Sequence, residues 1–98
     1  MGALDPAIHA ETRLRIMSAL DTLGQGDKLS FNALRKALDL TVGNLSVHLT
    51  KLEAAGYIAI DKTFEGRKPA TYVAMTAKGR AAFEQYIHEL KRLLGEKP

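Results

Sequence analysis

The sequence contains no cysteine. That absence removes disulfides, thiolate metal sites and cysteine nucleophiles together, and it suits a reducing interior. No apolar run reaches the ~18 residues that a membrane-crossing helix needs. The N-terminus lacks a basic stretch followed by an apolar core, so the expectation is a soluble, cytoplasmic protein. There is no internal repeat, low-complexity segment or linker. A length of 98 residues leaves room for one small domain, read here over residues 1–98, and not for two. Neither charge sign dominates: 14 Lys and Arg against 11 Asp and Glu leave a net +3. A sequence pI near 9.3 permits a polyanionic partner without demanding one. With 46% hydrophobic and 26% charged residues the chain should fold rather than stay disordered. So small a core is marginal alone, and a second copy would help bury more surface.

What is present centres on Asp39 to Ile60, DLTVGNLSVHLTKLEAAGYIAI. Thr41 is placed as an N-cap whose hydroxyl accepts from the unpaired N–H groups of a starting helix. Leu45, Leu49 and Leu52 follow at i, i+4 and i+7, one narrow apolar stripe. At about 100° per residue the opposite face carries Gly43, Val47 and Thr50, flanked by Asn44, Ser46 and Lys51. Gly56 closes this helix, since it can take the left-handed conformation without a Cβ clash.

On either side the periodicity changes in a definite order. Asp5 and Pro6 mark a helix start, with a pause or restart around His9 to Thr12. Ile16, Leu20 and Leu23 form its stripe, and a turn follows at Gly24-Gln25-Gly26-Asp27. Leu29-Ser30 reads as a short strand leading into a second helix capped by Ser30, with Phe31, Leu34 and Leu38 on one face. Tyr57 to Thr63 and Ala70 to Met75 alternate as strands. They are joined by the turn Phe64-Glu65-Gly66-Arg67-Lys68-Pro69, which makes a hairpin with a basic tip. Thr76 caps a last helix whose core stripe is Phe83, Ile87, Leu90 and Leu94. The expected helices cover approximately 6–23, 31–38, 42–55 and 77–94, with a hairpin over 57–75. The fold class is α+β, mainly α: a winged helix–turn–helix with a three-helix core, a β-hairpin wing and a C-terminal dimerisation helix.

At this point the chain resembles the winged helix–turn–helix transcriptional regulators of the MarR and ArsR type, most closely their small single-domain relatives. The resemblance rests on TRLRIMSAL (12–20), LTVGNLSVHLTKLEAAGYI (40–58), GRKPATY (66–72) and MTAKGRAAF (75–83). It implies a DNA-binding regulator in which the third helix enters the major groove. The candidate contacts on that helix are Thr41, Val42, Gly43, Asn44, Ser46, Val47, His48, Thr50 and Lys51.

Each candidate has a plainer reading beside it. A merely solvated helix face would favour Glu, Lys and Gln, whereas this one is small and non-acidic until Glu53. Short side chains let a helix lie deep in a groove, with Asn44 and Ser46 reaching base edges and Val47 meeting a thymine methyl. Lys51 fits a phosphate, although a lone Lys on a helix is usually just solvated. His48 stands at the edge of the buried stripe, where a packed histidine is the commoner case; the resemblance implies a place near the DNA backbone. Cations at a hairpin tip are commonly a solubility device. Joined to a helix–turn–helix, Arg67 suits a minor groove and Lys62 and Lys68 fit phosphates, with Thr71 as a further candidate contact of the wing.

Ile8, Leu14, Tyr86 and Leu93 fall off their helices' core stripes. They are read either as extra contacts between the first and last helices or as the seam of an isologous homodimer. His9 and His88 raise a metal role at such a seam, but no ligand cluster surrounds either, so no metal or cofactor is assigned. Ser18, Ser30 and Ser46 sit in no nucleophile-elbow or phosphate-loop sequence, and the chain is too small to enclose a substrate as well. An enzyme is therefore not expected. The leading reading is a homodimeric regulator of double-stranded DNA acting on a palindrome. The alternative is a winged-helix protein–protein interaction module that never touches DNA. The operator, the regulated genes, the sign of regulation and any small-molecule effector are not encoded legibly.

Overall fold

A computed structural model describes residues 4–95; residues 1–3 and 96–98, part of the domain read over 1–98, lie outside the described residues. The elements are α1 (Glu11–Asp21), β1 (Leu29–Ser30), α2 (Phe31–Leu38), α3 (Val42–Ala54), β2 (Ile58–Glu65), β3 (Lys68–Met75) and α4 (Ala77–Leu93). This is the winged helix fold: helices packed on a three-stranded antiparallel sheet of order β1-β3-β2.

Side-chain caps start three of the helices. Ser30 accepts from the N–H of Ala33 at 3.1 Å, Thr41 from Asn44 at 3.1 Å and Thr76 from Gly79 at 2.9 Å. Each hydroxyl satisfies a donor that the first turn leaves free, worth typically ~1 kcal/mol. The link between α2 and α3 is tight because Asp39 takes the left-handed conformation, φ 53°. Its short polar side chain tolerates that backbone better than most residues. The N–H of Leu40 then reaches back to the Arg35 carbonyl at 3.0 Å. At the far end of α3, Gly56 is left-handed, φ 81°.

Leu45, Leu49 and Leu52 are buried from α3, Ile16, Met17 and Leu20 from α1, and Ile58, Val73 and Met75 from the sheet. Phe83 and Tyr86 of α4 close the core from another side. Truncating one such leucine to Ala typically costs ~2–5 kcal/mol, so three of them anchor α3 firmly.

Four expectations are corrected. The first helix does not run from 6 to 23. Asp5 instead makes a separate turn, accepting from the Ala7 N–H through its side chain and from the Ile8 and His9 N–H groups through its carbonyl. The chain extends at Ala10 before α1 begins at Glu11. That turn folds back over the core, which leaves Ile8 fully buried. Second, Tyr86 is also buried, with its hydroxyl 2.9 Å from His9 Nδ1. Neither residue offers surface to a second copy. Third, the hairpin turn is two residues, not six: Glu65 pairs with Lys68 and Phe64 with Pro69. Gly66 at φ 64° supplies the positive φ that a two-residue hairpin turn demands. Fourth, Leu94 is 71% exposed rather than core. It continues the stripe of Phe83, Ile87 and Leu90, but the last buried residue of α4 is Glu89, and beyond it the helix has run past the core.

Candidate nucleic-acid interface

Burying the leucine stripe of α3 turns the other side of the helix outward. Thr41, Val42, Gly43, Asn44, Ser46, Val47, Thr50 and Lys51 are all exposed, and His48 is half-buried. The Thr50 hydroxyl donates to the Ser46 carbonyl at 2.9 Å, which fixes its rotamer while leaving its lone pairs free to accept. No carboxylate lies on α3 before Glu53.

The sheet supplies a wall facing this helix. Strand alternation and the β2–β3 register put Ile58, Ile60, Lys62 and Phe64 on one face, with Met75, Val73, Thr71 and Pro69 opposite them. The first part of that face is core. Beyond Ile60 it leaves the core, and Lys62 and Thr71 line an open groove of about 590 Å³ with Phe31, Ser46, Leu49, Thr50 and Glu53. Lys62 and Thr71 are thus brought together with α3. Lys68 is not: it lies on the other face with Glu65, while Arg67 occupies the turn itself. On that far side Lys28 meets Asp61 at 3.4 Å and lies 4.8 Å from the Tyr72 ring centroid.

The exposed large apolar side chains among the described residues are Val42, Val47, Phe64, Leu93 and Leu94. They fall in two places. Three belong to α3 and the wing, Val42 in the first turn of the helix and Val47 on its outward face, and two to the end of α4. Leu14 is partly buried against the core, so of the four residues expected at a dimer seam only Leu93 stands clear, 59% exposed.

Sequence reading missed two participants. Phe64 falls in a long turn when turn residues alone are counted, and its exposure follows only once the strands are seen to continue to Glu65. Arg13 lies on α1, far along the chain from α3, yet its Nη1 sits 3.1 Å from Nδ1 of His48. His48 is held below its ordinary value by burial first, then by the charges of Arg13 and Lys51. Both causes favour the uncharged ring over its cation.

A capped helix seated by leucines, offering a non-acidic face beside a β-hairpin, defines a winged helix–turn–helix of the nucleic-acid-binding class. Comparison with known proteins agrees. A family described as winged helix DNA-binding domain matches residues 12–94, and the chain belongs to that family. It is 38% identical over 85 residues to an uncharacterised protein of Methanocaldococcus jannaschii, covering 87% of this chain and 89% of that one. The structure of a transcriptional regulator homologue from Pyrococcus horikoshii OT3 superposes with a TM-score of 0.82 at 31% identity, covering 91% of this chain and 85% of the other. A MarR-family protein from Porphyromonas gingivalis W83 shares the fold, with a TM-score of 0.69 at 17% identity over 94% of this chain and 85% of its own.

Proposed function

We propose that this protein is a sequence-specific regulator of transcription that binds double-stranded DNA as a homodimer, each copy reading half of a palindromic operator. The observation that carries this reading is the uncovered, non-acidic outward face of α3, with Val47 left in solvent at 55% exposure. An exposed valine gains nothing in water, whereas in a major groove it can meet a thymine methyl. Asn44, Ser46, Val47 and Thr50 are the proposed base-edge readers. Gly43, with open space where a Cβ would be, allows close approach of the duplex. Lys51 and His48 flank one side of the helix and Lys62 and Thr71 the other, positions suited to phosphates; Arg67 and Lys68 extend the contact from the wing tip.

The dimer is proposed to form through the end of α4. Leu93 and Leu94 are exposed there and continue onto the half-buried Ile87 and Leu90. An apolar overhang of this kind is what a second copy would cover, and a two-fold arrangement would set two α3 helices on one face.

A titration against mixed-sequence duplex DNA at two salt concentrations tests the reading. Affinity should fall steeply with salt, and replacing Arg67 and Lys68 by Ala should reduce the salt slope by about one for each cation withdrawn from a phosphate. Absence of binding even at low salt would favour the protein–protein interaction module instead.

A further inference from the structure

The guanidinium of Arg13 is committed on three sides. Its Nε donates to the Ala7 carbonyl at 2.7 Å, its Nη2 to the Pro6 carbonyl at 3.4 Å, and its Nη1 faces Nδ1 of His48 at 3.1 Å. A guanidinium has donors and no acceptor. The Nδ1 of His48 must therefore present a lone pair, which makes the ring neutral with its one proton on Nε2. That ring rises from α3 on the flank it shares with Asn44 and Lys51. The carbonyls that orient Arg13 belong to the N-terminal turn, itself held to the domain by Asp5 on the Tyr57 hydroxyl and by His9 on Tyr86.

We infer that Arg13 is a positioning residue for the DNA contact: it fixes the orientation and tautomer of His48 so that Nε2–H donates to a phosphate oxygen of the duplex. A fixed positive charge behind the imidazole also polarises the ring and strengthens that donor. The charges bearing on His48 are Arg13 from α1 and Lys51 from its own helix, while Asp5 in the adjoining turn is engaged by Tyr57. A neutral imidazole is also less attractive to phosphate than a cation would be. Its contribution is thus directional, and it depends on being held.

This inference rests on the DNA-binding reading, and the test separates the two. The 15N resonances of the His48 ring, recorded on the free protein, should show an unprotonated Nδ1 and a protonated Nε2 near neutral pH. In Arg13→Gln, which removes the charge, the titration midpoint of His48 should rise. On mixed-sequence duplex DNA near pH 7.5, where the wild-type ring is neutral, Arg13→Gln and His48→Ala should each weaken binding by about tenfold. Combined, they should weaken it little more than either alone. Arg13→Lys, which keeps the charge and one donor but not the fork, should fall between wild type and Arg13→Gln. It also guards against a glutamine variant that fails to fold. A protonated Nδ1 in the wild type, an unmoved His48 midpoint or additive losses in the double variant would each overturn the positioning role while leaving DNA binding intact. A wild type that binds no duplex at low salt overturns both.

Discussion

Gly79 lies so close to the main chain of Tyr57 that a Cβ at position 79 would stand 2.0 Å from the Tyr57 carbonyl oxygen and 2.8 Å from its carbonyl carbon. Backbone cannot swing aside as the tip of a flexible side chain can. The first turn of α4 therefore packs directly on the chain entering β2, and Thr76 locks the junction. Its N–H donates to the Tyr57 carbonyl at 3.0 Å and its hydroxyl to the Gly56 carbonyl at 2.7 Å. Gly79→Ala should force α4 away from the sheet and destabilise the domain by roughly 2 kcal/mol or more. Thermal unfolding followed by circular dichroism reads this directly; an unchanged melting temperature would mean that α4 can move off the sheet without cost.

Gly43 gives the opposite expectation. Nothing lies within 4 Å of its missing Cβ, and its φ is that of an ordinary helix. Alanine there should stabilise α3 by up to about 1 kcal/mol. On the proposed interface, however, the added methyl stands between helix and duplex. The expected result is a variant that melts higher and binds DNA more weakly. A variant that gains stability and keeps full affinity would move the duplex off this part of α3.

The phenol of Tyr57 donates to Asp5, and its pKa is pushed up to about 12, chiefly by that hydrogen bond, with burial and the Asp5 charge adding to it. The folded state thus holds this proton at pH values where an unfolded chain, with an ordinary value near 10, has released it. By linkage the stabilisation is complete below pH 10 and disappears as pH climbs to about 12. Subtracting the unfolding free energy of Tyr57→Phe from that of the wild type across this range should give a difference that shrinks with rising pH. A flat difference would mean that the Asp5 contact contributes no proton linkage.

Leu93 and Leu94 test the dimer. Leu94→Glu, made together with Leu93→Glu, adds charge at positions already in water, so the fold of the single chain should survive with stability changed by no more than ~0.5 kcal/mol. Sedimentation should nevertheless shift from a dimeric to a monomeric mass, and binding to a duplex carrying two half-sites should weaken more than binding to one. A dimer that persists would place the seam elsewhere than the end of α4.

Much of the fold could be read locally. Ser30, Thr41 and Thr76 cap helices because a hydroxyl followed by a helical stripe has one favourable use. Leu45, Leu49 and Leu52 are buried together because their spacing allows nothing else once α3 forms. The left-handed turn after α2 was less visible, since Asp39 rather than glycine adopts it. In the wing, counting turn residues alone leaves Phe64 in a loop. Pairing across the strands carried it onto the sheet, because Gly66 alone supplies the unusual backbone angle.

The amino-acid order alone determined the caps, the stripes and the composition of the outward face of α3, all of which depend on neighbours within one or two turns. The tertiary structure decided which apolar residues the body actually covers. Ile8 and Tyr86 lie off their stripes yet are enclosed by a turn that folds back, while Leu94 lies on its stripe yet stands free because the helix outruns the core. It also decided that Arg13 meets His48, since a contact spanning 35 positions leaves no periodic trace in the chain that makes it.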